Sequence, residues 1–437
     1  MKHHLQATWT PQSWSTKPVI AQDVVYDDPK ALEAVINIIS ALPALVNPMK
    51  IEIARNNFAA AAQGKAFIIQ GGDCAESFDD VRLHVIQKKV KLLQEQSHLL
   101  AQGLNLPIIT VGRIAGQYAK PRSSTLETLE DGTITHAFRG HNINGSSLGE
   151  RRPDPYRLLL GHFYSKTTLD MIKDILSTPT QMGGPNFVAT PNSFSLTPEE
   201  AADIAPLDTP TRTIFTSHEA LHLPYESAMT HDRYNTSASF IWVGERTRQL
   251  DGAHVEYIRG LRNPIGIKIG PTIDSSSLVA LLNTICPEPH LSENIGRVTI
   301  ITRLGADKVI TVLPPLIQAV QEAGHTPVWM CDPCHGNTQT TTAGLKTRHV
   351  GRMVLEATRT YQIHRENHSF LGGLHLEQTG EFVTECQDDE AMDEKSHLSS
   401  NYHSLCDPRL SHVQALSLAR QFVDFVRGRE EREKLGH

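Results

Sequence analysis

Residues 66–74 read AFIIQGGDC. An apolar run this short, unbroken by alternation and stopped by glycines and an acid, is how a strand covered on both faces ends in a loop. The same figure recurs as LPIITVGR (106–113), TIFTSHE (213–219), FIWVGER (240–246), IGIKIGP (265–271), VTIITR (298–303), TPVWMCD (326–332) and GGLHLEQ (372–378). Helical stretches lie between several of them. In 81–103, Ile86, Val90 and Leu93 share one face, and PPLIQAVQEAGH (314–325) is read as a helix opened by its prolines and closed by Gly324. Eight buried strands alternating with helices predict an α/β fold, a (β/α)8 TIM barrel. An open doubly wound sheet is the alternative, but no GxGxxG joins a strand to a helix to support it.

The remaining segments are read as decorations on one domain. Residues 1–60 form an N-terminal extension with one helix in 29–45, and residues 61–437 form the catalytic barrel, with an insertion at about 124–210 that is helical around 164–176. An acidic stretch (387–397) follows the eighth run, and 411–437 read as a closing amphipathic helix with a charged tail. The net charge of −7 over 437 residues gives no global attraction for nucleic acid or anionic membranes. No apolar run of about 18 residues and no leader-like start is present, so a cytoplasmic protein is expected. Six cysteines are too few for a disulfide scaffold in a chain this long.

In such a barrel the chemistry gathers where the strands end. Those positions carry Cys74, Arg113, His218 and Glu219, Glu245 and Arg246, Lys268, Arg303, His335 and Glu377, with Asp407 in CDPRLS (406–411) beyond. Cys74, His335, Glu377 and Asp407 offer a thiolate, an imidazole and two carboxylates, a donor set for one divalent transition metal. Arg113, Lys120, Arg122, Arg246, Lys268 and Arg303 would crowd like charges at one mouth unless anions bind there, and guanidinium forks match phosphate and carboxylate. Cys331 and Cys334 form a C-x-x-C, but a zinc ribbon needs a second pair and none exists. Cys331 is therefore read as strand interior and Cys334 as a spectator. Taken singly, Cys74 would be a small buried residue, His335 a loop histidine and each cation a solvated rim residue; their shared position at strand ends argues otherwise.

Together the motifs QGGDCAESF (70–78), VGRIAGQYAKPRS (111–123), FTSHEALHLPYESAMT (215–230), WVGER (242–246), ITRLGADKV (301–309), CDPCHGNT (331–338), GGLHLEQTGEFVTEC (372–386) and CDPRLS closely resemble class-II 3-deoxy-D-arabino-heptulosonate 7-phosphate (DAHP) synthases, over about residues 66–425. The resemblance implies condensation of phosphoenolpyruvate with erythrose 4-phosphate, releasing phosphate, at the head of the shikimate pathway. It implies one divalent metal, manganese or cobalt first, zinc or iron next, on Cys74, His335, Glu377 and Asp407. It assigns phosphoenolpyruvate to Arg113, Glu245 (partly through its backbone), Arg246, Lys268 and Arg303, and erythrose 4-phosphate to Lys120, Pro121, Arg122 and Ser123. Lys268, Cys74 and His335 are the expected catalytic residues, Lys268 as a proton carrier whose pKa neighbouring cations lower. A homo-oligomer, dimer or tetramer, and association with chorismate mutase are also implied. The rival readings are a related synthase using another sugar phosphate and a non-catalytic partner of a shikimate-pathway enzyme. Regulated members carry effector sites on the N-terminal extension and inserted helices. Residues 176–213, rich in Pro and Thr, look shorter and less helical, which predicts weak inhibition by aromatic amino acids.

Overall fold

A computed structural model describes residues 9–122, 124–129, 131–178, 213–342, 344–388, 398 and 400–434. Eight parallel strands close into a barrel: β1 (Phe67–Gly72), β2 (Ile108–Arg113), β3 (Phe215–Glu219), β4 (Phe240–Val243), β5 (Ile265–Ile269), β6 (Val298–Thr302), β7 (Val328–Cys331) and β8 (Leu371–Glu377). Each apolar run is one strand, in sequence order around the barrel. β8 returns to β1 with Ile68 opposite Gly373 and Gly72 opposite Glu377.

The period of two along each strand decides what faces the lumen. On β5, Ile265, Ile267 and Ile269 join the core beneath the outer helices, which leaves Gly266 and Lys268 pointing inward. The inward positions grade along the axis. At the N-terminal end they are apolar: Ile68, Ile109, Phe215, Phe240, Ile301, Val328 and Met330 form one cluster. Two residues further along they become Gln70, Ser217 and His375, and at the C-terminal end Arg113, Glu219, Arg303, Asp332 and Glu377.

The extension holds α1 (Pro29–Ala41) and also α2 (Pro48–Ala62), so the expectation of a single helix there is corrected. Asn47 caps α2 by accepting from Met49 N at 2.8 Å, and Pro48 fills its first position. Its Ala54, Phe58 and Ala61 enter the barrel cluster and seal the N-terminal end. Around the outside lie α3 (Leu83–Leu104), α4 (Tyr156–Ser177), α5 (Leu223–Ala228), α6 (Ala253–Arg259), α7 (Ser275–Ile285), α8 (Val309–Glu322), α9 (Val350–Glu366) and α10 (His412–Lys434).

α8 is a second correction: it starts at Val309, and Pro314 and Pro315 lie inside it rather than at its head. Neither proline can donate to the preceding turn, a loss of roughly 3 kcal/mol per residue in an isolated helix. Burial of Val309, Leu313, Leu316, Ile317 and Val320 on one face offsets it. In the insertion, α4 runs from residue 156, earlier than the helical pattern at 164–176 suggested. A two-stranded ribbon pairs Leu126–Thr128 with Ile134–His136 beside the barrel mouth. Residues 179–212 and most of the acidic stretch, 389–397, lie outside the described residues, and with them the basis for the expectation about feedback inhibition.

Candidate active site

The C-terminal mouth encloses a cavity of about 420 Å³. Cys74, Arg113, Lys120, Pro121, Arg122, Glu245, Arg246, Lys268, Arg303, His335, Glu377 and Asp407 all line it. Every predicted site residue except Ser123, which lies outside the described residues, therefore meets in one place. Glu219 joins them, whereas its neighbour His218 turns away and binds Glu226 at 2.8 Å. Against the chain's net −7, the six basic residues read from sequence outnumber the lining carboxylates Glu219, Glu245, Glu377 and Asp407, and Lys346 adds to the excess.

One corner collects three of the four candidate metal donors. Ligand atoms of Cys74, Glu377 and Asp407 lie within 4.8 Å of one another. His335 adjoins the group through Nε2, 3.1 Å from Glu377 Oε1. Its Nδ1 is 2.6 Å from Asp332 Oδ2, so that carboxylate orients the ring and turns Nε2 towards Glu377. Burial opposes ionisation of Glu377, yet His335, Lys120 and Arg348 hold its carboxyl well below the usual range. Asp407 is likewise held down against burial, chiefly by Lys120. Burial, a hydrogen bond with Cys406 and the Glu377 charge push the Cys74 thiol up, so its thiolate needs a cation beside it. A buried thiol, an imidazole oriented by a carboxylate and two ionised carboxylates fit a divalent transition metal.

The backbone brings these groups together by close approach. Gly72, at φ +150°, lies against Arg113 O, where a Cβ would come within 2.4 Å. The chain then turns to Asp73, clamped by Lys89 at 2.6 Å and Arg409 at 2.7 Å, and delivers Cys74. Arg113 donates from Nε to Asp73 O at 3.0 Å, from NH1 to His375 Nε2 at 2.6 Å and from NH2 to Cys74 O and Glu377 Oε1, each at 3.2 Å. One NH1 hydrogen remains for a substrate. His375 in turn donates from Nδ1 to Gln70 Oε1 at 2.7 Å, and Gln70 donates to Ser217 Oγ at 2.9 Å. This chain fixes His375 as a neutral acceptor beneath Arg113, and burial and Lys268 keep its pKa well below 6.5.

The rest of the lining is rich in cations. Lys268 is buried and donates to Asp332 Oδ2 at 2.9 Å. Its pKa is lowered, first by burial and only secondarily by Arg113, with Asp332 opposing, so desolvation rather than neighbouring cations is the main cause. Arg303 Nε is buried with no protein acceptor, a donor fitted to a bound anion. The Glu245 side chain is spent on Arg248, at 2.6 and 2.9 Å, and on Gly270 N at 2.6 Å, which leaves its backbone for the cavity. Lys120 reaches across to the metal corner, where its ammonium contacts Cys74 Sγ and lies 2.6 Å from Asp407 Oδ2. Burial works against that ammonium, but Cys74, Asp407 and Glu377 hold its pKa well above the ordinary value.

Three residues central to this geometry were not singled out in the sequence. Asp332 links Lys268 to His335; His375 supports Arg113; and Arg348, fully buried, donates to Glu377 Oε2 at 2.7 Å, to Thr338 Oγ1 at 2.9 Å and to Pro408 O. Parity offered the signal for two of them, since His375 is two residues before Glu377 and Asp332 two after Met330. Cys331 is buried in the core, as read. Cys334 is more than a spectator: its sulfur accepts Glu377 N–H at 3.3 Å, and burial pushes its pKa up to about 12. Two buried, high-pKa thiols do not make a redox pair.

The model of the class-II DAHP synthetase family matches residues 9–184 and 195–423. A phospho-2-dehydro-3-deoxyheptonate aldolase of Neurospora crassa is 42% identical, across 98% of this chain and 96% of its own. Proteins of the same name from Streptomyces coelicolor and Mycolicibacterium smegmatis are 37% and 36% identical, covering 95% and 92% of this chain and 97% and 91% of theirs. Among solved structures, a phospho-2-dehydro-3-deoxyheptonate aldolase from Francisella tularensis matches with a TM-score of 0.52 at 15% identity, covering 93% of this chain and 97% of its own; it speaks for the fold.

Proposed function

Because the chain belongs to the class-II DAHP synthetase family, we propose that its barrel mouth condenses phosphoenolpyruvate with erythrose 4-phosphate through the residues described above. The activity is that of a DAHP synthase, an enzyme of the shikimate pathway. The observation that supports the residue assignment is the meeting of the Cys74, Glu377 and Asp407 cluster, with His335 beside Glu377, and many cations in one 420 Å³ cavity.

Arg246 and Arg303 hold the phosphate of phosphoenolpyruvate, with Arg303 Nε as the donor that has no protein acceptor. The Glu245 backbone and the remaining NH1 hydrogen of Arg113 complete that half. Lys120, Pro121, Arg122 and Ser123 receive erythrose 4-phosphate. Cys74, His335, Glu377 and Asp407 hold the divalent metal, which when bound supplies Lewis acidity at the aldehyde. Their mixed sulfur, nitrogen and oxygen set suits a divalent transition metal better than magnesium; the family likeness suggests manganese or cobalt, with zinc or iron next. So positioned, C3 of phosphoenolpyruvate forms its bond to the aldehyde carbon, C2 takes up water, and the C2–O bond to phosphate breaks. Lys268 Nζ, its pKa lowered by burial and anchored by Asp332, carries a proton during these steps.

Assembly is proposed as a homo-oligomer, dimer or tetramer, supported by the exposed apolar stripe Tyr156, Leu160 and Phe163 on α4. Association with chorismate mutase and a cytoplasmic location complete the proposal. The six cysteines are free thiols, which suits a reducing compartment. Phosphate release from phosphoenolpyruvate, measured against a panel of aldose phosphates with and without added metal, tests the central reading. Erythrose 4-phosphate should be preferred and metal required; equal rates with five-carbon aldose phosphates, or full rates after verified metal removal, would sink it.

A further inference from the structure

The segment from Trp9 to Tyr26 runs as a strap from beside α6 to the barrel mouth. At its start the Trp9 indole fills the space against Gly260, where a Cβ would lie 2.0 Å from the ring, and Nε1 donates to Glu256 O at 3.1 Å and Tyr257 O at 3.2 Å. Pro18 O accepts Ala253 N at 3.0 Å. At its end the Gln22 side chain meets the backbone of Arg122: Nε2 donates to Arg122 O at 2.8 Å, and Oε1 accepts Arg122 N at 2.8 Å. A carboxamide carries one donor face and one acceptor face, so it engages a peptide as a neighbouring strand would. Arg139 closes the circuit. Its NH2 donates to Gln22 O at 2.8 Å and its NH1 to Asp23 O at 2.6 Å, while its own carbonyl accepts Lys120 N at 2.8 Å.

Gln22 adopts φ +67°, a conformation that disfavours a side chain by about 1 kcal/mol and persists where the surroundings over-determine it. Here the surroundings are the Arg139 guanidinium on one side and the Arg122 peptide on the other. We propose that Gln22 is a positioning residue: its amide fixes the Arg122 backbone so that the Lys120–Arg122 segment stands ready for the phosphate of erythrose 4-phosphate. The inference rests on the reading of that segment as the erythrose 4-phosphate cradle. It makes the N-terminal strap part of the apparatus for the second substrate, although no strap side chain lines the cavity.

Steady-state phosphate release by full-length Gln22→Gly, Gln22→Glu and Arg122→Ala, with each substrate varied in turn, tests it. Gln22→Gly deletes the amide while easing the positive φ, so the melting temperature should hold or rise. KM for erythrose 4-phosphate should increase about five- to ten-fold, with KM for phosphoenolpyruvate and bound metal unchanged. Gln22→Glu keeps the acceptor and loses the donor, and should fall between Gln22→Gly and wild type. A wild-type KM for erythrose 4-phosphate in Gln22→Gly, beside a raised one in Arg122→Ala, would overturn the proposal and leave the cradle standing. Equal increases in both KM values with a lowered melting temperature would reduce Gln22 to a structural tether and overturn it too. An unchanged erythrose 4-phosphate KM in Arg122→Ala would remove the cradle itself, and the proposal with it.

Discussion

The two ends of the barrel are built from the same eight strands at the same parity, yet they differ in kind. At the N-terminal end α2 presses Phe58 and its alanines into an apolar cluster with Phe240, Ile301 and Met330. At the C-terminal end, a few residues along each strand, the lumen carries charges that are buried and mutually opposed. The first end has nothing to do but exclude water. The second stays assembled only because most charges have partners, and it leaves a few donors, such as Arg303 Nε, without one. Stability and chemistry are thus separated along a single axis, and substitutions at the two ends should fail in different ways.

The largest effect is expected at the metal corner. Cys74→Ser or His335→Ala should lower turnover by more than about a thousand-fold, since Lewis-acid assistance is worth several kcal/mol. The near-ultraviolet circular dichroism should stay native, because the fold is held elsewhere. Wild-type turnover in either variant would contradict the assignment. Next comes the sealed end: Phe58→Ala should destabilise by about 3–4 kcal/mol through lost burial and a cavity. Urea midpoints would show it, with both KM values unmoved at a temperature where the variant is folded; a selective KM change would blur the contrast.

Back at the mouth, Lys268→Ala and Arg303→Ala should each reduce kcat/KM for phosphoenolpyruvate by about 30- to 100-fold, the loss of one charge-assisted contact. Arg122→Ala should act mainly on erythrose 4-phosphate. Identical effects of all three variants on both substrates would mean the cavity is not divided as described.

The smallest effect lies outside the lumen, in buried neutral histidines of the surrounding shell. Burial lowers the pKa of His364 to about 3 and of His222 to about 4. The unfolded chain takes up these protons below about pH 6.5 and the folded chain does not, so stability falls as the medium is acidified from 6.5 towards 4, by about 2 kcal/mol per histidine at pH 5. Urea titrations at pH 7.5 and 5 should show the decline, and His364→Gln should flatten it; an unaltered slope in that variant would assign the acid sensitivity elsewhere.

The barrel was legible in the sequence because each strand is an apolar run that stops abruptly, and because the stops carry the reactive side chains. The helix at 48–62 was not, since its apolar residues are mostly small alanines that mark no broad face, although Asn47 and Pro48 signal its start. The prolines of α8 misled because burial can hold a helix through them. Cys74, Glu377 and Asp407 were picked out as candidate donors by type and position, and they lie together, with His335 beside Glu377. Parity marked Asp332 and His375 as inward-facing but not what they would touch, and no local pattern announces a partner 264 or 29 residues away, the separations at which Arg113 and Arg348 meet Glu377.

Where the barrel closes has a bearing on how it is made. β1 and β8 meet at the seam, and the metal donors straddle it, Cys74 standing 333 residues before Asp407. During synthesis the Cys74 thiol meets Lys120, 46 residues on, long before the carboxylates of Glu377 and Asp407. A chain released early carries Cys74 and most of the lining cations but neither Glu377 nor Asp407, so it cannot assemble the donor cluster. Glu377 and Asp407 arrive only with the last barrel strand and the loop beyond it, so this corner of the mouth is the last to be completed.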